Sequence, residues 1–357
     1  MASAIRVIEA KTLPNRYARG WHCLGLASDF DDGKPHGIDA FGTHLVAFRG
    51  DEGTIRILDG YCPHMGADLR RGSVQNDSLV CPFHRWSWGG DGVCNGVAYS
   101  NRIPPAARIK SWPTCQENRF LFVWNDPEGK APPPELAIPR LEQCFSDEWS
   151  DWAVRKWTVN GYCRDVIDNV SDVTHFTLIH GIPVAYFANI LEGHRASQVL
   201  LGRSPGQKGG LLTYSTFYGP AYQIALLQVE MGGIKMDTII ATCYVPIDLN
   251  SFELRFGMLV RKLPDFSAEQ NLEMAKTYVE LTQTGFLQDI EMWLNKTRID
   301  NPLLTEGDGP IYQLHRWYDQ FFIDEAAVPA AMRERYVFEM NPGGVDPAPP
   351  MHHLFEE

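Results

Sequence analysis

Cys62-Pro63-His64 and Cys81-Pro82-Phe83-His84 each offer one thiolate and one imidazole from a short loop, with residues 65 to 80 between them. Zinc would accept two cysteines and two histidines. A zinc finger, however, usually takes its cysteines from one loop and its histidines from another element. In a Rieske 2Fe-2S centre one iron takes two thiolates and the other two imidazoles, so one cysteine and one histidine from each of two loops match that cluster. Pro63, Gly66, Pro82 and Gly89-Gly90 give the loops tight turns. Taken singly, each of the four reads as a buried cysteine or a surface histidine; the four together at this spacing point to the cluster. Cys23, Cys94, Cys115, Cys144, Cys163 and Cys243 lack such partners and read as core residues.

An electron-transfer cluster needs an acceptor, and a second iron site is the natural one. His175 and His180 lie five residues apart at what reads as a helix end. Five residues turn an ideal helix by about 500°, roughly 140° off the first side chain, so both can meet one metal only if the helix distorts or ends between them. Gly181 and Pro183 favour such an end. Two histidines and one carboxylate form a facial site for iron(II) that leaves positions open for oxygen and substrate. Asp289 is the best candidate carboxylate: Phe286 at i−3 and Trp293 at i+4 put it on an apolar helix face, where its charge needs a partner. A metal would serve, and so would an ion pair with Lys296 or Arg298. The ordinary alternatives are satisfied core histidines at 175 and 180 and a solvated helix residue at Asp172.

The elements that must position these groups fall into two parts. Residues 43–59 are two β-rich runs about Gly50, Asp51, Glu52 and Gly53, a hairpin pattern, and Arg119 to Trp124 is another β run. The proline-rich stretch from Pro127 to Pro139 follows and marks the boundary, giving domains 1–127 and 128–357. In the second part Asn160 to Ile179 reads as a helix. Alternating runs between Leu211 and Lys262 read as antiparallel strands, and a long helix begins at the capping box of Ser267 and Gln270. The expected fold is α+β, a small all-β domain followed by an α+β domain with a curved antiparallel sheet and a long helix. A formal charge of −12 and a pI near 5.4 argue against nucleic acid and anionic membrane partners. No apolar run reaches the roughly 20 residues of a bilayer span, and Glu9 and Lys11 interrupt any leader, so a cytoplasmic protein is expected.

Cys-x-His, Cys-x-x-His, then Asn-x-x-Asp-x-x-His-x-x-x-x-His and a late helical Asp together resemble the oxygenase components of Rieske non-haem iron oxygenases. The stretches ARGWHCLG, KPHGIDAFGTHLV, LDGYCPHMGADL, CPFHRWSWGGDG, CRDVIDNVSDVTHF, GFLQDIEMW, KTRIDNPLL and YQLHRWYDQF are similar to the 3-ketosteroid 9α-hydroxylase branch of that family. The resemblance implies that Cys62, His64, Cys81 and His84 hold the cluster and that His175, His180 and Asp289 hold a mononuclear Fe(II). It also implies a ring of identical subunits, a homotrimer, in which Asp172 bridges ligand His175 and the neighbour's His84, with Asn169 beside the iron.

The implied activity is that of the terminal oxygenase of a multicomponent monooxygenase. It would hydroxylate a flat apolar polycyclic substrate, a 3-ketosteroid at the 9α position, using O2 and electrons from a separate NADH-dependent reductase. The absence of a GxGxxG motif fits a reductase on another polypeptide. Val170, Tyr222, Phe286 and Trp293 are the expected pocket residues. Ala225 stands where the steroid hydroxylases have asparagine, and the loop from Leu200 to Thr213 is shorter, so a hydroxylase or demethylase of another apolar polycycle shares every metal residue. An electron carrier or redox-sensing module would need only the first constellation, two irons per chain against three.

Overall fold

The computed structural model describes residues 8–9, 15–203, 210–231 and 234–345. Its N-terminal part is three small antiparallel sheets. Strands Thr43–Arg49 and Ile55–Asp59 pair as the sequence pattern requires, closed by a turn in which Gly53 adopts φ +77° and donates its N–H to Gly50 O at 3.0 Å. Alternation along this hairpin sends side chains to two cores. Leu45, Ala47, Ile55 and Ile57 pack with Trp112 and Leu121, while Val46, Phe48 and Leu58 pack beneath Cys62, Leu69, Cys81 and Trp88. The two Cys/His loops therefore rest on a layer of buried apolar side chains.

The C-terminal part is built on an eight-stranded antiparallel sheet. Its strand order is Ala153–Asn160, Ser251–Val260, Ile234–Asp248, Tyr222–Met231, Gly210–Tyr218, Arg195–Arg203, Val184–Glu192 and Tyr336–Met340. One face packs on the N-terminal part: Trp21, Phe122 and Trp124 share a core with Tyr222, Ile224, Leu226 and Cys243. The other face is covered by helices α1 (Cys163–Asp168), α3 (Ala268–Asn295) and α4 (Ile311–Asp319), while α2 (Val173–Leu178) sits at its edge. At the start of α3 the capping box is formed as expected: Gln270 N donates to Ser267 Oγ at 3.1 Å and Ser267 N to Gln270 Oε1 at 2.8 Å. The α+β reading stands.

The expected helix from Asn160 to Ile179 is corrected. Residues up to Asn160 form a strand, pairing Asn160 with Ser251, and the remainder is two short helices broken at residues 169–172. The break is held from outside. Gly309, at φ +81°, lies so close to Ser171 O that a Cβ there would sit 2.1 Å from it. Asp172 then restarts the helix, its carboxylate accepting from His175 N at 3.2 Å. Residues 204–209, the tip of the loop read as shortened, lie outside the described residues. Of the six remaining cysteines, Cys23, Cys94, Cys144 and Cys243 are buried, and Cys115 and Cys163 are half-buried. No helix among the described residues is long and apolar enough to cross a membrane.

Candidate active site and metal centres

Each loop of the first constellation is closed by its own backbone. Cys62 N donates to Ala67 O at 2.9 Å and Gly66 N to Cys62 O at 2.8 Å, while Cys81 N donates to Trp86 O at 2.8 Å. These turns bring the thiols of Cys62 and Cys81 together in the core and the rings of His64 and His84 to 4.7 Å between centroids. His64 stacks on Trp86 at 4.6 Å, and Trp86 is held by Tyr99 through a 2.9 Å bond from its indole N–H. Burial, with the Cys81 thiol beside it, pushes the Cys62 thiol up to about 11. Two adjacent thiols in an apolar pocket ionise readily only when a cation takes up their charge. His84 Nδ1 is buried without a hydrogen-bond partner among the described residues, as a nitrogen aimed at a metal would be. This donor set fits a 2Fe-2S cluster.

In the second constellation α2 ends at Leu178, between the two histidines, and the chain turns so that their rings lie 5.2 Å apart at 78°. Asp289, reached more than a hundred residues later on α3, closes the group. One ligand atom from each of His175, His180 and Asp289 lies within 4.8 Å of the others. His175 gives its Nδ1 proton to the carbonyl of Asp172, which leaves Nε2 as the free acceptor, and burial lowers its pKa, favouring the neutral ring that a metal requires. His180 Nδ1 bonds Gln288 Oε1 at 3.2 Å, and its Nε2 faces Asp289 Oδ1 at 3.2 Å. Burial works against a charge on His180, yet the Asp289 carboxylate outweighs it and raises the His180 pKa. A divalent cation meets the same demand for positive charge.

The ion-pair alternative for Asp289 does not hold. Lys296 goes to Asp165 at 2.8 Å and Asp168 at 3.6 Å, and Arg298 goes to Asp300 at 3.1 Å. His315 joins the same group, 2.7 Å from Asp168, so α1 is tied to α4 and to the end of α3. Sequence reading did not find this network, although its members lie in the stretches CRDVIDNVSDVTHF, KTRIDNPLL and YQLHRWYDQF.

A cavity of about 530 Å³ opens from the three residues between the sheet and α3. Val170, Phe286 and Trp293 line it as expected, and so do Asn169 and Ala225. Tyr222 does not. It is fully buried on the opposite face of its strand, its hydroxyl taking a 3.1 Å bond from Asn118 Nδ2 in the core between the two parts. Side chains alternate along a strand, so the residues that reach the cavity are Gln223, Ala225 and Leu227. Gln198, Ser215 and Thr242 also line it and were missed, because a lone polar residue in a β run carries no signal of which face it serves. Asp172 is corrected in part: its carbonyl, not its carboxylate, accepts from the His175 ring. The carboxylate caps α2, lies 4.0 Å from His175 Nδ1 and is 41% exposed.

Residues 20–113 match the Rieske [2Fe-2S] domain model, and residues 123–322 match the 3-ketosteroid 9alpha-hydroxylase C-terminal domain model. The chain is 46% identical to a 3-ketosteroid-9-alpha-monooxygenase oxygenase component of Rhodococcus rhodochrous, over 94% of this chain and 91% of that one. The chain belongs to the 3-ketosteroid 9α-hydroxylase oxygenase family. A Mycobacterium tuberculosis member is also 46% identical, over 94% of this chain and 90% of its own. A more distant relative, a cholesterol 7-desaturase of Ciona intestinalis, is 29% identical over 88% and 70%. The structure of dicamba monooxygenase bound to 3,6-dichlorosalicylic acid shares the fold, with a TM-score of 0.70 at 19% identity, covering 87% of this chain and 98% of that one. The protein is thus the oxygenase component of a Rieske-type monooxygenase, with a 2Fe-2S cluster and a mononuclear iron as its cofactors and a separate reductase as its electron source.

Proposed function

We propose that this enzyme hydroxylates a 3-ketosteroid at the 9α carbon, consuming O2 and electrons that pass from NADH through its reductase. The observation that carries the reading is the cavity itself: a slot within the size range of small-molecule sites, with predominantly apolar walls, that ends on His175, His180 and Asp289. Cys62, His64, Cys81 and His84 would hold the cluster, in residues 1–127, and His175, His180 and Asp289 would hold Fe(II), in residues 128–357. Bound there, the two groups supply one-electron transfer and oxygen activation. The chain's own part is positioning. Val170, Phe286 and Trp293 pack a flat ring system and exclude water, while Asn169 borders the cavity near the ligands. The carbonyl of Asp172 keeps His175 in the tautomer that presents Nε2.

The cluster loops expose Met65 and Phe83, 66% and 60% accessible, around half-exposed His64 and His84, and the Asp172 carboxylate is exposed beside the second site. These faces support a homotrimeric ring in which Asp172 of one subunit meets the neighbour's His84. A cytoplasmic location is part of the same proposal. Ala225, at the cavity wall, also suits other apolar polycycles, whose hydroxylation or demethylation is the second reading. Incubation with reductase, NADH and a panel of 3-ketosteroids, read by mass spectrometry, tests the proposal. A product one oxygen heavier, hydroxylated at C9, is expected. Turnover of other polycycles alone would overturn the steroid reading, and two irons per chain instead of three would contradict the assignment of the second site.

A further inference from the structure

The cavity carries a polar strip whose hydrogen bonds all run in one sense. The carbonyl of Val170 can only accept, and it takes the side-chain amides of Asn189 at 2.8 Å and Gln198 at 2.9 Å. Gln198 must therefore turn its NH2 toward that main chain and its Oε1 toward Ser215, whose hydroxyl donates to it at 3.5 Å. Ser215 Oγ is left as an acceptor, and Gln223 supplies an amide N–H at 3.3 Å. A backbone carbonyl in the break between α1 and α2 thus sets the orientation of a side chain three links away.

Gln223 keeps a second N–H and its Oε1 without a partner among the described residues, and it lines the cavity. Thr242 is its direct cross-strand neighbour. That side chain is 3% exposed, lines the same cavity, and forms no hydrogen bond among the described residues. Phe256, paired with Thr242 on the next strand, packs on Phe286 at 4.5 Å, so this polar pair sits at an apolar wall. Both groups face the cavity, so a ligand that enters it can supply the partner they lack. An unpaired amide N–H beside an unpaired hydroxyl can donate together to one carbonyl oxygen, which has two lone pairs.

We infer that Gln223 and Thr242 form a subsite that reads a ketone oxygen on the polycyclic substrate, Gln223 through its free amide N–H and Thr242 through its hydroxyl. The inference rests on the steroid reading above and specifies how an otherwise apolar slot separates a ketosteroid from a hydrocarbon of the same shape. Ser215 and Gln198 act as positioning residues, since they aim the amide without touching the oxygen.

The test is equilibrium dialysis of the holoenzyme, without reductase, against androstane-3,17-dione, androstan-3-one, androstan-17-one and androstane. Wild type should bind the ketone that reaches the pair about tenfold tighter than the analogue lacking that oxygen. Gln223→Leu and Thr242→Val should each reduce that preference several-fold while leaving androstane within about twofold. The same comparison with fluorenone and fluorene separates the two claims. Steroids that fail to bind overturn the substrate reading, whereas the fluorenone preference and its loss in the variants still decide the subsite. If Gln223→Leu weakens every ligand alike, Thr242→Val, which conserves shape, decides. A ketone preference that is unchanged in Thr242→Val across both series overturns the inference.

Discussion

Asp168, the last residue of α1, is the point where three helices are tied, and its charge can be removed without changing its shape. Its carboxylate accepts from His315 on α4 at 2.7 Å and lies 3.6 Å from Lys296, just past the end of α3. In Asp168→Asn the side chain still offers an oxygen to His315, so the loss is chiefly the charge. Two unit charges 3.6 Å apart attract by about 4–5 kcal/mol at an effective dielectric near 20. That figure is a ceiling, because Lys296 retains Asp165 at 2.8 Å and is 39% exposed, and the variant no longer desolvates a carboxylate. We expect a net loss of about 2 kcal/mol, close to the range for one charge-assisted bond. With a melting entropy of about 2.1 cal/mol/K per residue over 357 residues, the melting temperature should fall by about 3 °C. Differential scanning calorimetry at pH 7 measures it. Burial alone would raise the Asp168 carboxyl; the bond from His315 and the charges of Lys296 and Arg164 outweigh it and hold it below the usual carboxylate range. A depressed carboxylate contributes stability at neutral pH and loses it as pH falls through the folded pKa. The gap between wild type and variant should therefore close below about pH 4. A double variant with Lys296→Met should lose less than the sum of the single losses. A melting temperature unchanged within about 1 °C would refute the reasoning and leave the network as a solvated cluster of no consequence to the fold.

Asp289→Ala should release the mononuclear iron and abolish turnover while the reduced cluster keeps its rhombic EPR signal; normal iron content would show that Asp289 is not a ligand. Asp172→Asn should leave stability almost unchanged, since asparagine caps a helix as well as aspartate, yet slow reoxidation of the cluster in stopped-flow absorbance if the carboxylate bridges subunits. Wild-type rates would remove it from the electron path. Tyr222→Phe should lower stability by about 1 kcal/mol through the lost bond with Asn118 and leave KM for substrate unmoved; a raised KM at full stability would return Tyr222 to the pocket.

The four residues proposed to hold the cluster and the two histidines proposed for the iron stood out in the sequence because their geometry is local. A Cys-x-His or Cys-x-x-His loop closes on itself, and the five-residue spacing of His175 and His180 demanded the helix end that α2 supplies at Leu178. Asp289 was legible only as an unsatisfied charge. Whether a metal or Lys296 satisfies it depends on where residues 165, 168 and 300 fall in space, which no spacing along the chain records. Strand parity was the other matter left to the tertiary structure. In Tyr222–Met231 both faces are largely apolar, one toward the N-terminal part and one toward the cavity, so alternation cannot say which set faces substrate. The helix read across Asn160 to Ile179 failed in part for the same kind of reason. Pairing with Ser251–Val260 claims the residues up to Asn160, and Gly309 packs on Ser171 at a break over Asn169 to Asp172, weak helix formers whose last member caps the next helix, a local sign that the apolar periodicity masked.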